Sequence, residues 1–97
     1  MKVYLDDERD TPDGWERAHS AQEAIDLLRT GRVQQISLDH DLGDNTNGTG
    51  YDVICWIEWA QHERVIHAPI IWIHTGNVVG RKRMEQVLER IERGRDE

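Results

Sequence analysis

The chain has 97 residues, a formal net charge of −7, 37% apolar side chains and 32% charged ones. That suits one soluble domain, expected over residues 1–97, with enough chain to bury a core. The acid excess excludes general affinity for double-stranded nucleic acid, which needs basic surface to neutralise phosphates. No 18-residue apolar run offers a membrane span, and no signal peptide precedes Asp6, so a cytoplasmic location is expected. The single cysteine, Cys55, excludes an internal disulfide and falls in an apolar pattern that predicts a buried thiol.

In chain order, Val3-Tyr4-Leu5 predicts a strand over 2–5 that runs straight into Asp6-Asp7-Glu8-Arg9. Residues 8–14, with Pro12 and Gly14, leave no room for a helix. A weaker strand signal lies from Trp15 to Ala18. Ala21, Ala24, Ile25 and Leu28 then repeat at helical spacing, opened by Ser20 and Glu23 in a capping-box pattern and closed by Gly31. A strand over 34–38 ends in Asp39-His40-Asp41-Leu42-Gly43. The polar loop 43–50 follows, with three glycines that permit close backbone approach to a ligand. A second helical stripe is Val53, Trp56, Ile57 and Ala60. A strand over 70–74 ends in His74-Thr75-Gly76-Asn77, and a third stripe is Met84, Val87, Leu88 and Ile91. Strands alternating with helices imply an α/β fold with a parallel sheet. Such sheets bind ligands outside the carboxyl ends of their strands, where four carboxylates and two histidines would meet.

The remaining polar and aromatic residues read as follows. His19, His62 and His67 are expected to be structural or solvated, and Asp13 and Asp44 to sit in surface turns. Trp56 and Trp72 fit core faces, Trp59 falls off the helical stripe, and Trp15 reads as edge packing, with stacking on a base as the alternative. The basic cluster Arg81-Lys82-Arg83 reads as a solvated first helical turn, or as a partner for an anionic ligand near the pocket.

The runs LDDER, LDHDLG and IHTGN together resemble a response-regulator receiver domain, and more narrowly the cyclic-phosphate processing receiver-like domains, short proteins of phage and bacterial conflict settings. The resemblance covers nearly the whole chain. It implies a truncated, flavodoxin-like three-layer sandwich of about four mostly parallel strands with three helices. In receivers, an acidic pair after the first strand and an aspartate after the third hold Mg²⁺, and the latter accepts a phosphoryl group. Asp6, Asp7 and Asp39 match those places, with Asp41 nearby. Thr75 matches the hydroxyl that contacts the phosphoryl group. The first receiver helix and the phosphorylation lysine have no counterpart.

The resulting expectation is a metal-dependent phosphoesterase acting on a cyclic phosphate, either a cyclic nucleotide or an RNA cyclic phosphate end. Asp6, Asp7, Asp39 and Asp41 would hold Mg²⁺ or Mn²⁺. His40 and His74, with Asp39, would serve catalysis, since ring opening needs a base for water and an acid for the leaving oxygen. One histidine as a metal ligand is the alternative. Arg9, Thr75 and Asn77 would bind phosphate. The competing functions are a phosphoacceptor using Asp39 and a non-catalytic ligand- or protein-binding module. The partners expected are a small phosphorylated ligand or nucleotide, a second copy through a free sheet edge, or a host protein through an exposed helix face.

Overall fold

The computed structural model describes residues 1–43 and 45–95. The elements are β1 (Lys2–Leu5), β2 (Glu16–Ala18), α1 (Ala21–Arg29), β3 (Gln35–Leu38), a 3-10 turn at Asn45–Asn47, α2 (Gly50–His62), β4 (Ile70–Ile73) and α3 (Val78–Gly94). The strands form one parallel sheet in the order β2-β1-β3-β4. Strand number, direction and helix count are those of the expected receiver-like α/β fold.

Side-chain alternation along each strand decides the rest. Val3, Leu5, Ala18, Ile36, Leu38 and Ile71 point to one face and are buried. They meet Ala24 and Leu28 of α1, Val53, Ile54 and Ile57 of α2, and Met84, Val87 and Ile91 of α3. Each fully buried Leu or Ile contributes about 1.5–3 kcal/mol relative to exposure. The crossovers β2-α1-β3 and β3-α2-β4 step the same way across the sheet. Right-handed connections therefore place both helices on the same face, and α3 packs against α2 and β4.

This arrangement corrects the expected layer count. Among the described residues there are two layers, not three, because residues 7–15 return from the end of β1 to β2 without a helix. Trp15 closes that return by packing edge-on against Tyr4, with ring centroids 6.2 Å apart, on the face opposite the helices. Trp72 is a second correction. Its neighbour Ile71 takes the core position, so Trp72 points to the helix-free face and is 54% exposed. Cys55 is half-buried against the core rather than enclosed.

Local signals set the helix starts. Ser20 Oγ accepts from the Glu23 backbone N–H, whereas the Glu23 carboxylate accepts from His19 N–H, so only half of the expected capping box forms. A complete box opens α2 instead, with Thr49 and Asp52 exchanging both bonds. The first residue of α2, Gly50, lies directly against the end of β3: a Cβ there would sit 2.0 Å from the Asp39 carbonyl oxygen. Glycine at this position lets the helix start hold the Asp39-His40 backbone, and Gly50 N–H donates to His40 O at 3.1 Å.

Candidate functional site

Three adjacent strands, β1, β3 and β4, end side by side. Asp6 follows β1, Asp39 follows β3 and His74 follows β4. The parallel ladder continues through them, with Asp39 N–H donating to Leu5 O at 3.1 Å and His74 N–H to Leu38 O at 2.9 Å. Asp6, Asp39 and His74 each present a ligand atom within 4.8 Å of the others.

Asp6 is the most constrained of the three, at 1% exposed. Its Oδ1 accepts from the backbone N–H groups of Glu8 (2.8 Å) and Arg9 (3.0 Å). Its Oδ2 faces His74 Nε2 at 3.1 Å. Burial pushes the Asp6 carboxyl up, but those two N–H groups and His74 pull it further down, so its net pKa lies below the usual value of 3.8. His74 lies on the helix-free face, stacked on Tyr4 at 4.3 Å and 7°. Its Nδ1 is 2.6 Å from Ser37 Oγ. Burial lowers the His74 pKa below 6.5 and outweighs the upward pull of Asp6 and Asp39. The ring is thus neutral near pH 7. Because a carboxylate only accepts, the proton sits on Nε2, and Nδ1 accepts from the Ser37 hydroxyl.

A cleft of about 550 Å³ opens above these groups, lined by Asp6, Asp7, Glu8, Arg9, Asp39, Asp41, Gly43, Thr75, Gly76 and Asn77. A larger cavity of about 930 Å³ lies elsewhere, around Gln61, His67 and Arg95, and holds none of the strand-end carboxylates. Asp7 and Asp41 therefore share the cleft with Asp6 and Asp39 but stand outside the tight three-ligand set. Gly43 brings the loop after β3 to the cleft wall. Asp44 lies outside the described residues.

Arg9 is held at the rim. Its Nη1 donates to His74 O at 3.1 Å and its Nε lies 3.9 Å from Asp6 Oδ2. Thr75 Oγ1 accepts from Asn77 N–H at 3.2 Å, and Asn77 Oδ1 caps α3 by accepting from Gly80 N–H at 2.8 Å. Asn77 Nδ2 is 3.4 Å from both carboxylate oxygens of Asp41. His40 stands beside the cleft rather than lining it. Its Nδ1 is 2.9 Å from Asp41 Oδ1, and its ring occupies the space where a Gly80 Cβ would be, 2.5 Å away. The His40 hydrogen bond holds the Asp41 carboxyl below its usual value against a smaller opposing effect of burial, with help from Asn77.

Of the basic cluster, Arg81 reaches the site's support, donating from Nη2 to Thr75 O at 3.2 Å, whereas Arg83 lies over the Tyr51 ring. Sequence reading does not reach Ser37, Tyr4 and Gly80, and it reaches Gly50 only as one of the three loop glycines. The only available signal was that Tyr4 and Ser37 lie two residues before Asp6 and Asp39 and so share their side of the sheet.

Two carboxylates and one imidazole suit a divalent cation. The oxygens fit Mg²⁺ or Mn²⁺, and the nitrogen donor favours Mn²⁺ or a later transition metal over Mg²⁺. Ser37 would then fix the orientation of the His74 ring from behind, as partners of metal-bound histidines do. No curated protein matches the chain. The family model described as the cyclic-phosphate processing receiver domain matches residues 1–90, and the chain belongs to that family.

Proposed function

We propose that the cleft is the active site of a metal-dependent phosphoesterase that opens a cyclic phosphate. The observation carrying this reading is the convergence of Asp6, Asp39 and His74 within 4.8 Å at the ends of three adjacent parallel strands. These residues would hold the cation, which when bound supplies charge neutralisation and polarisation of the phosphate oxygens.

The chain's own groups do the rest. Arg9, at the rim, offers the guanidinium for a phosphate oxygen, with Thr75 and Asn77 beside it. Asp41 fixes the tautomer of His40, since a carboxylate accepting from Nδ1–H leaves Nε2 to take up or release a proton. His74 serves as ligand, so the two histidines divide the roles between them. A phosphoacceptor role for Asp39 is less well supported, because no lysine is among the residues lining the cleft.

The test is phosphorus NMR of metal-stripped protein with 2′,3′- and 3′,5′-cyclic nucleotides, before and after adding Mg²⁺ or Mn²⁺. Metal-dependent ring opening that Asp39→Asn abolishes is expected. Absence of turnover across the panel, with the protein folded, would remove the phosphoesterase reading.

A further inference from the structure

The helix-free face of the sheet runs directly into the site. His74 belongs to both: its Nε2 faces Asp6, and its ring lies on that face over Tyr4. Two residues earlier on β4, about 6.6 Å away along the strand, Trp72 presents its indole on the same side. Trp72 is 54% exposed, yet it is not free to swing, because Nε1 donates to Gln35 Oε1 on the neighbouring strand at 3.1 Å. Ile70, 53% exposed, continues the patch below it. An oriented, solvent-facing aromatic within one nucleotide's reach of a phosphate-handling cleft is a stacking surface.

We propose that Trp72 receives the base of the nucleotide whose phosphate enters the cleft, so that the substrate is a nucleoside cyclic phosphate rather than a sugar phosphate. This inference rests on the phosphoesterase reading for its phosphate half only. The β3–β4 half of the face, formed by Gln35, Ser37, Ile70 and Trp72, carries no formal charge, which matches a neutral base. On the β1–β2 side the face is charged: Lys2 lies over the Trp15 ring, Arg17 is in register with Tyr4, and the returning segment carries the exposed Glu8, Arg9, Asp10 and Asp13. The neutral surface is therefore confined to the β3–β4 half, which offers room for one base. Its exposed apolar part is two side chains, Ile70 and Trp72, which suits one base better than the broad patch of a dimer interface.

The experiment is calorimetric titration, with Mg²⁺ present, of adenosine 3′-monophosphate and of methyl riboside 3′-monophosphate, the same sugar phosphate without a base. Wild type, Trp72→Ala and Trp72→Phe are compared. The adenosine compound is expected to bind more tightly than the base-free one. Trp72→Ala should weaken it about 5- to 150-fold, the range of one base–aromatic stack, and Trp72→Phe should recover most of that loss. The base-free compound should not discriminate between wild type and Trp72→Ala.

The two readings fail separately. Trp72-dependent nucleotide binding without any ring opening would sustain the platform and remove the phosphoesterase. Ring opening equally fast with and without a base, unaltered by Trp72→Ala, would sustain the chemistry and overturn the platform. Failure of the nucleotide to bind, or a Trp72-dependent dimer seen in sedimentation with no nucleotide effect, would also overturn it.

Discussion

At the scale of single residues, the site is built by giving each polar atom one assignment. Asp6 Oδ1 is taken by two backbone N–H groups and Oδ2 is left to face His74. Asp6→Ala would remove the carboxylate that both N–H groups of the exposed residues Glu8 and Arg9 donate to, at a cost of about 1 kcal/mol per hydrogen bond. The same contacts set a pH dependence. His74 has a folded pKa below its unfolded value of 6.5, so both states are neutral above that pH. As pH falls below 6.5 the unfolded chain takes up the proton first, and stability drops until the folded value is passed. Asp6, also lowered, stabilises fully above 3.8 and loses that contribution as pH falls through its folded value. Both effects make acid destabilising. Urea unfolding between pH 7.5 and 5 should show falling stability, with a shallower slope in His74→Gln; equal slopes would show that His74 is not the titrating group. The carboxylates were legible in the sequence because each follows an apolar run. Ser37 and Tyr4 were not, since their roles depend on the lateral register of strands more than 30 residues apart in the chain.

At the scale of elements, the alternation of strands and helices was readable from spacing, but the contacts between element ends were not. Ser20 and Glu23 carry a capping-box pattern that the backbone only half uses, while Thr49 and Asp52 make the full box inside a loop noted for its glycines. Trp72 fits an apolar strand pattern whichever face it occupies, and only the position of Ile71 decides which. Gly80 shows how α3 is fitted to the site. A glycine inside a helix ordinarily costs up to about 1 kcal/mol relative to alanine, so Gly80→Ala would be stabilising on propensity alone. Here the new methyl would meet the His40 ring at 2.5 Å. Gly80→Ala is therefore expected to destabilise by about 1–3 kcal/mol, as overpacking does, and to displace His40 from Asp41. The check is a double-mutant cycle: Gly80→Ala should cost far less in a His40→Ala background. An equal cost in both backgrounds would mean that the helix, not the histidine, rejects the methyl group.

At the scale of the whole molecule, one topological fact gathers the site. Parallel strands all end at the same edge of the sheet, so three short segments separated by more than 30 residues deliver Asp6, Asp39 and His74 to one point. That same convergence brings two carboxylates and an imidazole together in the folded chain that are far apart in the unfolded one, so a cation would find its ligands gathered only in the folded state. Binding of a divalent cation to the folded state alone then stabilises it by mass action, about 2.7 kcal/mol at a hundred times Kd. For a domain of this size, that corresponds to a rise in Tm of about 10–20 °C. Saturating Mn²⁺ is expected to produce such a rise in wild type and none in Asp39→Asn. Without metal, Asp39→Asn should melt close to the wild-type temperature, because asparagine keeps the shape of the side chain. A metal-independent melting temperature in wild type, or a metal-free Asp39→Asn protein that melts well below it, would show that Asp39 serves the fold through its contacts and not as part of a cation site.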